Sequence, residues 1–215
     1  VKLPLAAVTR YLFEIDSVRI SLTRIVSFIL ALTIGIFYFQ TKHWTANNIF
    51  GEAFSVSSIE LIRLGSFTNG AILLVGLFFY DLFWVFGTEV MVTVAKSFDA
   101  PIKLIWPRTN GYSLLGLGDI VIPGIFIAQM LRFDEHLRRK NPNHVNLYFW
   151  TCMAAYLFGL IATVTVLTIF QAGQPALLYL VPSCLGSVTL LALARGEFKD
   201  LISYNDDQDV EKKTA

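Results

Sequence analysis

The sequence predicts an all-α, polytopic membrane helix bundle, and three observations predict it. The chain of 215 residues is 55% hydrophobic and 15% charged, whereas a soluble domain carries about 25% charged residues. Six segments approach the length of about 20 residues that crosses a bilayer. Two aspartates, Asp81 and Asp119, each stand as the single charged side chain of an apolar stretch, residues 70–87 and 113–131.

Taken in order, residues 1–20 mix charged and apolar side chains and read as a lead-in to the first span, 22–40. The second span, 46–63, is interrupted by Glu52 and Glu60. It is retained because its loss would leave an odd number of crossings, which the charge pattern disfavours. The third, GAILLVGLFFYDLFWVFG (70–87), and the fourth, SLLGLGDIVIPGIFIAQML (113–131), hold the aspartates. The fifth, 147–170, carries no charge at all, and the sixth, 175–194, opens on Pro175. A membrane-embedded domain is therefore expected over 1–199, and a disordered cytosolic tail over 200–215. The chain begins with Val and no signal-like start, so it reads as the C-terminal part of a longer chain.

Charge sets the orientation. With six crossings, 13 of the 17 Lys and Arg residues fall on one side and 4 on the other. The positive-inside rule then puts both chain ends in the cytosol. The net charge of +1 carries no sign of a nucleic-acid partner, and none is expected. Cys152 and Cys184 lie in apolar segments and read as small buried hydrophobes. His43, His136 and His144 lie outside them, and no Cys/His spacing suggests zinc. No metal and no cofactor are expected.

The aspartates carry the chemistry. A carboxyl group in hydrocarbon costs several kcal/mol unless compensated, so an intramembrane aspartate is a functional-site candidate by default. From Asp81 to Gly87, and from Ser113 to Asp119, is six residues each, roughly 9 Å of helix. The segments are antiparallel, so both carboxyls are expected at one depth. Two carboxyls in one site do not both ionise easily and share a proton. One then activates water as general base while the protonated partner polarises a carbonyl. On the aspartates alone three readings stay open: a protease, a proton-coupled transporter or channel, and a structural pair that fixes packing.

Their neighbours add detail. Gly116 and Gly118, around Leu117, leave room for another backbone beside Asp119. Tyr80 brings a hydroxyl into a dry region, though adjacent helix positions diverge by about 100°. Gln174-Pro175-Ala176-Leu177 opens the last span, where Pro175 suits a first helical turn and leaves a carbonyl unpaired upstream. The stretch EVMVTVAKSF (89–98) has the β-branched alternation of a strand edge that an unwound peptide could pair with, and reads equally as a plain luminal linker.

YD, GLGD and PAL, in this order on three landmark segments, resemble the GxGD-type intramembrane aspartyl proteases. The matching stretches are YDLFWVFGTEVMVTVAKSFDAPIKL (80–104), LLGLGDIVIPGIFIA (114–128) and QPALLYLVP (174–182). They look like signal peptide peptidase rather than presenilin, over roughly residues 42–199. The resemblance implies nine crossings, of which these six match the last six. It makes Asp81 and Asp119 the catalytic pair, supported by Tyr80 and by Gly116, Leu117 and Gly118 of the GxGD turn. Gln174, Pro175, Ala176 and Leu177 become the substrate-binding PAL element. The implied substrates are transmembrane peptides in a lipid bilayer: remnant signal peptides and type II membrane proteins. A homo-oligomer, an association with membrane-protein degradation machinery, and a noncatalytic scaffold for membrane clients stay open. The luminal loop, about 96–112, is shorter than the family leads one to expect. Lys212 and Lys213, fourth and third from the end, resemble a di-lysine retrieval signal for the endoplasmic reticulum.

Overall fold

The computed structural model describes residues 11–15, 18–87, 101–108, 111–170 and 175–206. A hairpin of β1 (Tyr11–Ile15) and β2 (Val18–Ser21) leads into α1 (Leu22–Thr41) and α2 (Trp44–Leu61). Then come α3 (Phe67–Gly87) and a second hairpin, β3 (Lys103–Arg108) with β4 (Gly111–Gly116). The chain continues through α4 (Gly118–Lys140), α5 (Leu147–Phe170), α6 (Leu177–Arg195) and the short α7 (Phe198–Ser203).

Four helices among the described residues, α1, α3, α5 and α6, are long and apolar enough to cross a membrane. The protein is an α-helical, multi-pass membrane bundle. Its outer faces fit that solvent: α1 buries no residue, and Phe158, Ile161 and Ile169 of α5 are exposed. Helices apolar all round belong in lipid. The two remaining long helices, α2 and α4, are more polar, with Glu52 and Glu60 in one and the run Arg132–Lys140 in the other.

The core lies where α3, α4, α5 and α6 meet. Leu74, Phe126, Met130, Phe133, Tyr148 and Leu180 are buried in it. At Gly159 of α5 a Cβ would sit 3.1 Å from the Tyr179 carbonyl oxygen and 3.2 Å from Leu180 Cα. Absence of a side chain there lets α5 and α6 approach backbone to backbone, the packing that membrane helices favour. Cys152 and Cys184 are free and buried at this same contact.

Three elements depart from the sequence expectation. Residues 113–116 form a strand, and the fourth span begins at Gly118 rather than Ser113. Gly116 and Gly118 weaken a helix there, while Tyr112 and Leu114 are exposed and alternate with half-buried Ser113 and Leu115, the period of a strand. The same helix continues past 131 to Lys140, because Phe133, Asp134 and Leu137 stay buried on one face of its charged end. Residues 200–206, expected in the disordered tail, pack onto the bundle: Leu201 and Tyr204 are buried, and the Asp206 N–H donates to the Gly65 carbonyl at 2.6 Å. The lead-in also holds the β1–β2 hairpin.

Candidate functional site

The hairpin of β3 and β4 is docked on α2 by two asparagines. The Asn48 amide accepts from the Ile105 N–H at 2.8 Å and donates to the Ile105 carbonyl at 2.9 Å. Asn47 donates to the Lys103 carbonyl at 2.7 Å. A side-chain amide here satisfies backbone groups as a neighbouring strand would. Beneath them, a Cβ on Gly51 would lie 2.9 Å from Leu104 Cδ2 and 3.3 Å from Leu117 Cδ2, so the bare glycine seats both leucines.

Asp119 follows directly. β4 ends at Gly116, and the Leu117 N–H extends the hairpin by donating to the Ile102 carbonyl at 3.1 Å. Leu117 is the N-cap of α4 and its carbonyl accepts from Ile120 and Val121. Asp119 thus sits in the first turn of α4 and not deep in a helix, so the equal-depth argument from Ser113 does not apply. A Cβ on Gly116 would lie 3.4 Å from Asp119 Oδ2, and its absence keeps one flank of that carboxyl open.

Asp81 lies on α3, buried, six residues before the helix ends. Its Oδ2 accepts the N–H of Leu177, the first residue of α6, at 3.2 Å. Two carboxyls of separate helices are close enough for Asp119 to feel the charge of Asp81. Tyr156 of α5 reaches the same place, donating its hydroxyl to the backbone carbonyl of Asp119 at 3.4 Å.

Asp81, Asp119, Gly116, Leu117, Pro175, Ala176 and Leu177 therefore come together at one end of the bundle. Pro175 and Leu177 are buried there, Ala176 half-buried, and Gly118 is exposed beside them. Tyr80 does not join. It is 58% exposed and lies against Trp84, because the turn of about 100° per residue that buries Asp81 carries its neighbour outward. Gln174, Lys212, Lys213 and the stretch 89–98 lie outside the described residues. Among the described residues no three His, Cys, Asp or Glu side chains form a metal-binding group. Sequence reasoning missed Asn47, Asn48, Gly51 and Tyr156. The adjacent asparagines in an otherwise spanning segment were the available signal for the first pair.

Fold and site together define a multi-pass membrane bundle in which two aspartates from separate helices, Asp81 and Asp119, come together near the start of a third. A family model described as signal peptide peptidase matches residues 2–208, and the chain belongs to that family. It is 52% identical over 185 residues to signal peptide peptidase of Homo sapiens, covering 82% of this chain and 48% of that protein. It is 46% identical over 222 residues to intramembrane protease 2 of Caenorhabditis elegans, covering 95% of this chain and 47% of the relative. A probable intramembrane protease of Schizosaccharomyces pombe is 45% identical over 187 residues, 84% of this chain and 63% of its own length. The chain spans about half the length of the human and nematode relatives.

Proposed function

We propose that the protein is an intramembrane aspartyl protease that hydrolyses peptide bonds within transmembrane segments. The observation that carries the reading is the meeting of Asp81 and Asp119, from separate helices, close enough for Asp119 to feel the charge of Asp81. One carboxylate takes a proton from water and makes it the nucleophile. The protonated partner donates to the scissile carbonyl as its oxygen gains charge. Its relatives' names, signal peptide peptidase and intramembrane protease, support the same chemistry, and the proposed substrates are remnant signal peptides and type II membrane proteins.

A helical substrate hides its carbonyls in hydrogen bonds and must unwind before attack. The β3–β4 hairpin supports a place for the unwound strand. Asn47 and Asn48 occupy the outer edge of β3. In an antiparallel pair the groups of one residue point to the same side, so Tyr112, Leu114 and Gly116 turn theirs outward from β4. Among the described residues no third strand pairs with β4, and that edge can take up an extended peptide just ahead of Asp119.

The test is cleavage of a labelled transmembrane signal peptide by the purified protein in liposomes, with products read by mass spectrometry. Cleavage inside the apolar stretch is expected, and none with Asp119→Asn. Proton flux without cleavage would replace the reading by transport.

A further inference from the structure

The backbone carbonyl of Asp119 lacks its ordinary helical donor. In an α-helix the carbonyl of residue i accepts the N–H of residue i+4. Four residues after Asp119 stands Pro123, inside α4, which has no N–H. Pro123 is fully buried, so water does not readily stand in. The Tyr156 hydroxyl, from α5, points at this carbonyl from 3.4 Å. That is long for an O–H···O bond, yet it supplies a donor where the helix has none. The phenol is also near enough to the Asp119 side chain to feel its charge.

We propose that Tyr156 is a positioning residue for Asp119, its hydroxyl replacing the N–H that Pro123 lacks and tying the first turn of α4 to α5. This rests on the protease reading. The need for a tether follows from what precedes Asp119: Gly116 and Gly118 hold the chain weakly, and among the described residues the hairpin, the Leu117 cap and the seat of Leu117 on Gly51 constrain it. Pro123 removes one further bond from that turn. A lateral bond from a neighbouring span restores the constraint in the direction that matters, across the gap toward Asp81. Loss of it misplaces a reacting group without removing any substrate contact, so rate should fall while binding persists.

The experiment is a double-mutant cycle with Tyr156→Phe, Pro123→Ala and both together, each purified and assayed on the same transmembrane peptide. Tyr156→Phe is expected to lower kcat by about 3- to 10-fold, the worth of one hydrogen bond, with KM unchanged. In the Pro123→Ala background, where residue 123 regains its N–H, the same change should cost less than about twofold. Pro123→Val restores the same N–H and serves if the alanine variant does not fold. Equal losses in both backgrounds, or a change confined to KM, would overturn the proposal. Thermal melts of the four proteins in detergent read the same coupling without catalysis. If the unaltered protein cleaves nothing, the protease reading fails, and the melts still decide the tether: additive effects sink it, coupled effects keep it.

Discussion

The carboxylate of Asp81 caps a helix to which it does not belong: its Oδ2 accepts the N–H of Leu177, the first residue of α6, at 3.2 Å. The first N–H groups of any helix have no partner within it. The residue at the N-cap of α6 is Ala176, which has no side-chain acceptor, and Pro175 offers none either. Leu177 is buried, and a buried N–H left unpaired costs about 1–3 kcal/mol. Asp81 removes that cost from another helix, and the positive end of the α6 dipole suits a carboxylate there. The PAL element is thus fastened to the aspartate site by a backbone bond.

Two substitutions at Asp81 should therefore behave differently. Asp81→Asn keeps an oxygen that accepts from Leu177, and its melting temperature should stay near that of the unaltered protein while cleavage disappears. Asp81→Ala should lose cleavage and also about 1–3 kcal/mol of stability. Melts in detergent beside peptide-cleavage assays check both. An alanine variant as stable as the parent would show that the cap carries nothing, and an active asparagine variant would end the shared-proton mechanism.

The aspartates were legible in sequence because a carboxyl in an apolar run stands out by cost alone. The spans 147–170 and 175–194 were legible for the converse reason, having nothing to interrupt them. The strand at 111–116 was hidden because its end runs into the apolar SLLGLG of 113–118, and hydropathy alone does not separate a short apolar strand from a helix. The end of α4 was hidden because its charges share a surface with Phe133, Asp134 and Leu137 on the buried side. Asp134 itself is spent on the backbone, accepting from the N–H groups of Tyr148 and Phe149 at 3.2 and 2.8 Å. Tyr156 gave no signal of its own, since tyrosine is ordinary in such a span. Its meaning lies in the spacing of Asp119 and Pro123, which the sequence does contain.

Asn48 offers a test of the hairpin. Its amide makes both hydrogen bonds to Ile105, so Asn48→Ala leaves two backbone groups without partners at a half-buried place. A loss of about 1–3 kcal/mol at this contact is expected, seen as faster hydrogen exchange of the Ile105 amide than of amides in α5. Cleavage should fall with it, because β4 and Asp119 follow the hairpin. Unchanged exchange at Ile105 would mean that α2 does not hold β3.

Glu197 gives a pH dependence. It lies between α6 and α7, where Tyr148 Oη donates to its Oε2 at 2.8 Å and Arg195 Nε at 2.9 Å. Burial opposes its charge, but the bonds from Arg195 and Tyr148 prevail and hold the carboxyl below its ordinary value of 4.5. A group lowered on folding stabilises the fold above its unfolded value and ceases to do so as pH falls through the folded one. The stability gap between the parent and Glu197→Gln should be constant above about pH 4.5 and shrink below it. Melts across pH 3 to 7 would measure this. A gap that widens on acidification would reverse the assignment.

Orientation is the last expectation. Arg63, Arg132, Arg138, Arg139, Lys140, Arg195 and Lys199 lie toward the bundle end opposite the aspartates, while Lys42, Lys103 and Arg108 lie toward the aspartate end. That basic end is knitted by Lys140 to Asp200 at 3.0 Å and Arg132 to Asp206 at 3.6 Å, so residues up to 206 share its side. Positive residues remain cytosolic, so the C-terminus is expected in the cytosol and the aspartates toward the lumen. Protease added to intact microsomes should remove a C-terminal tag, and protection of the tag would invert the topology. Lys212-Lys213-Thr214-Ala215 would then face the cytosolic machinery that reads di-lysine signals. Replacing both lysines by serine should move the protein out of the endoplasmic reticulum. If location is unchanged while the tag stays accessible, the orientation stands and the retrieval signal does not.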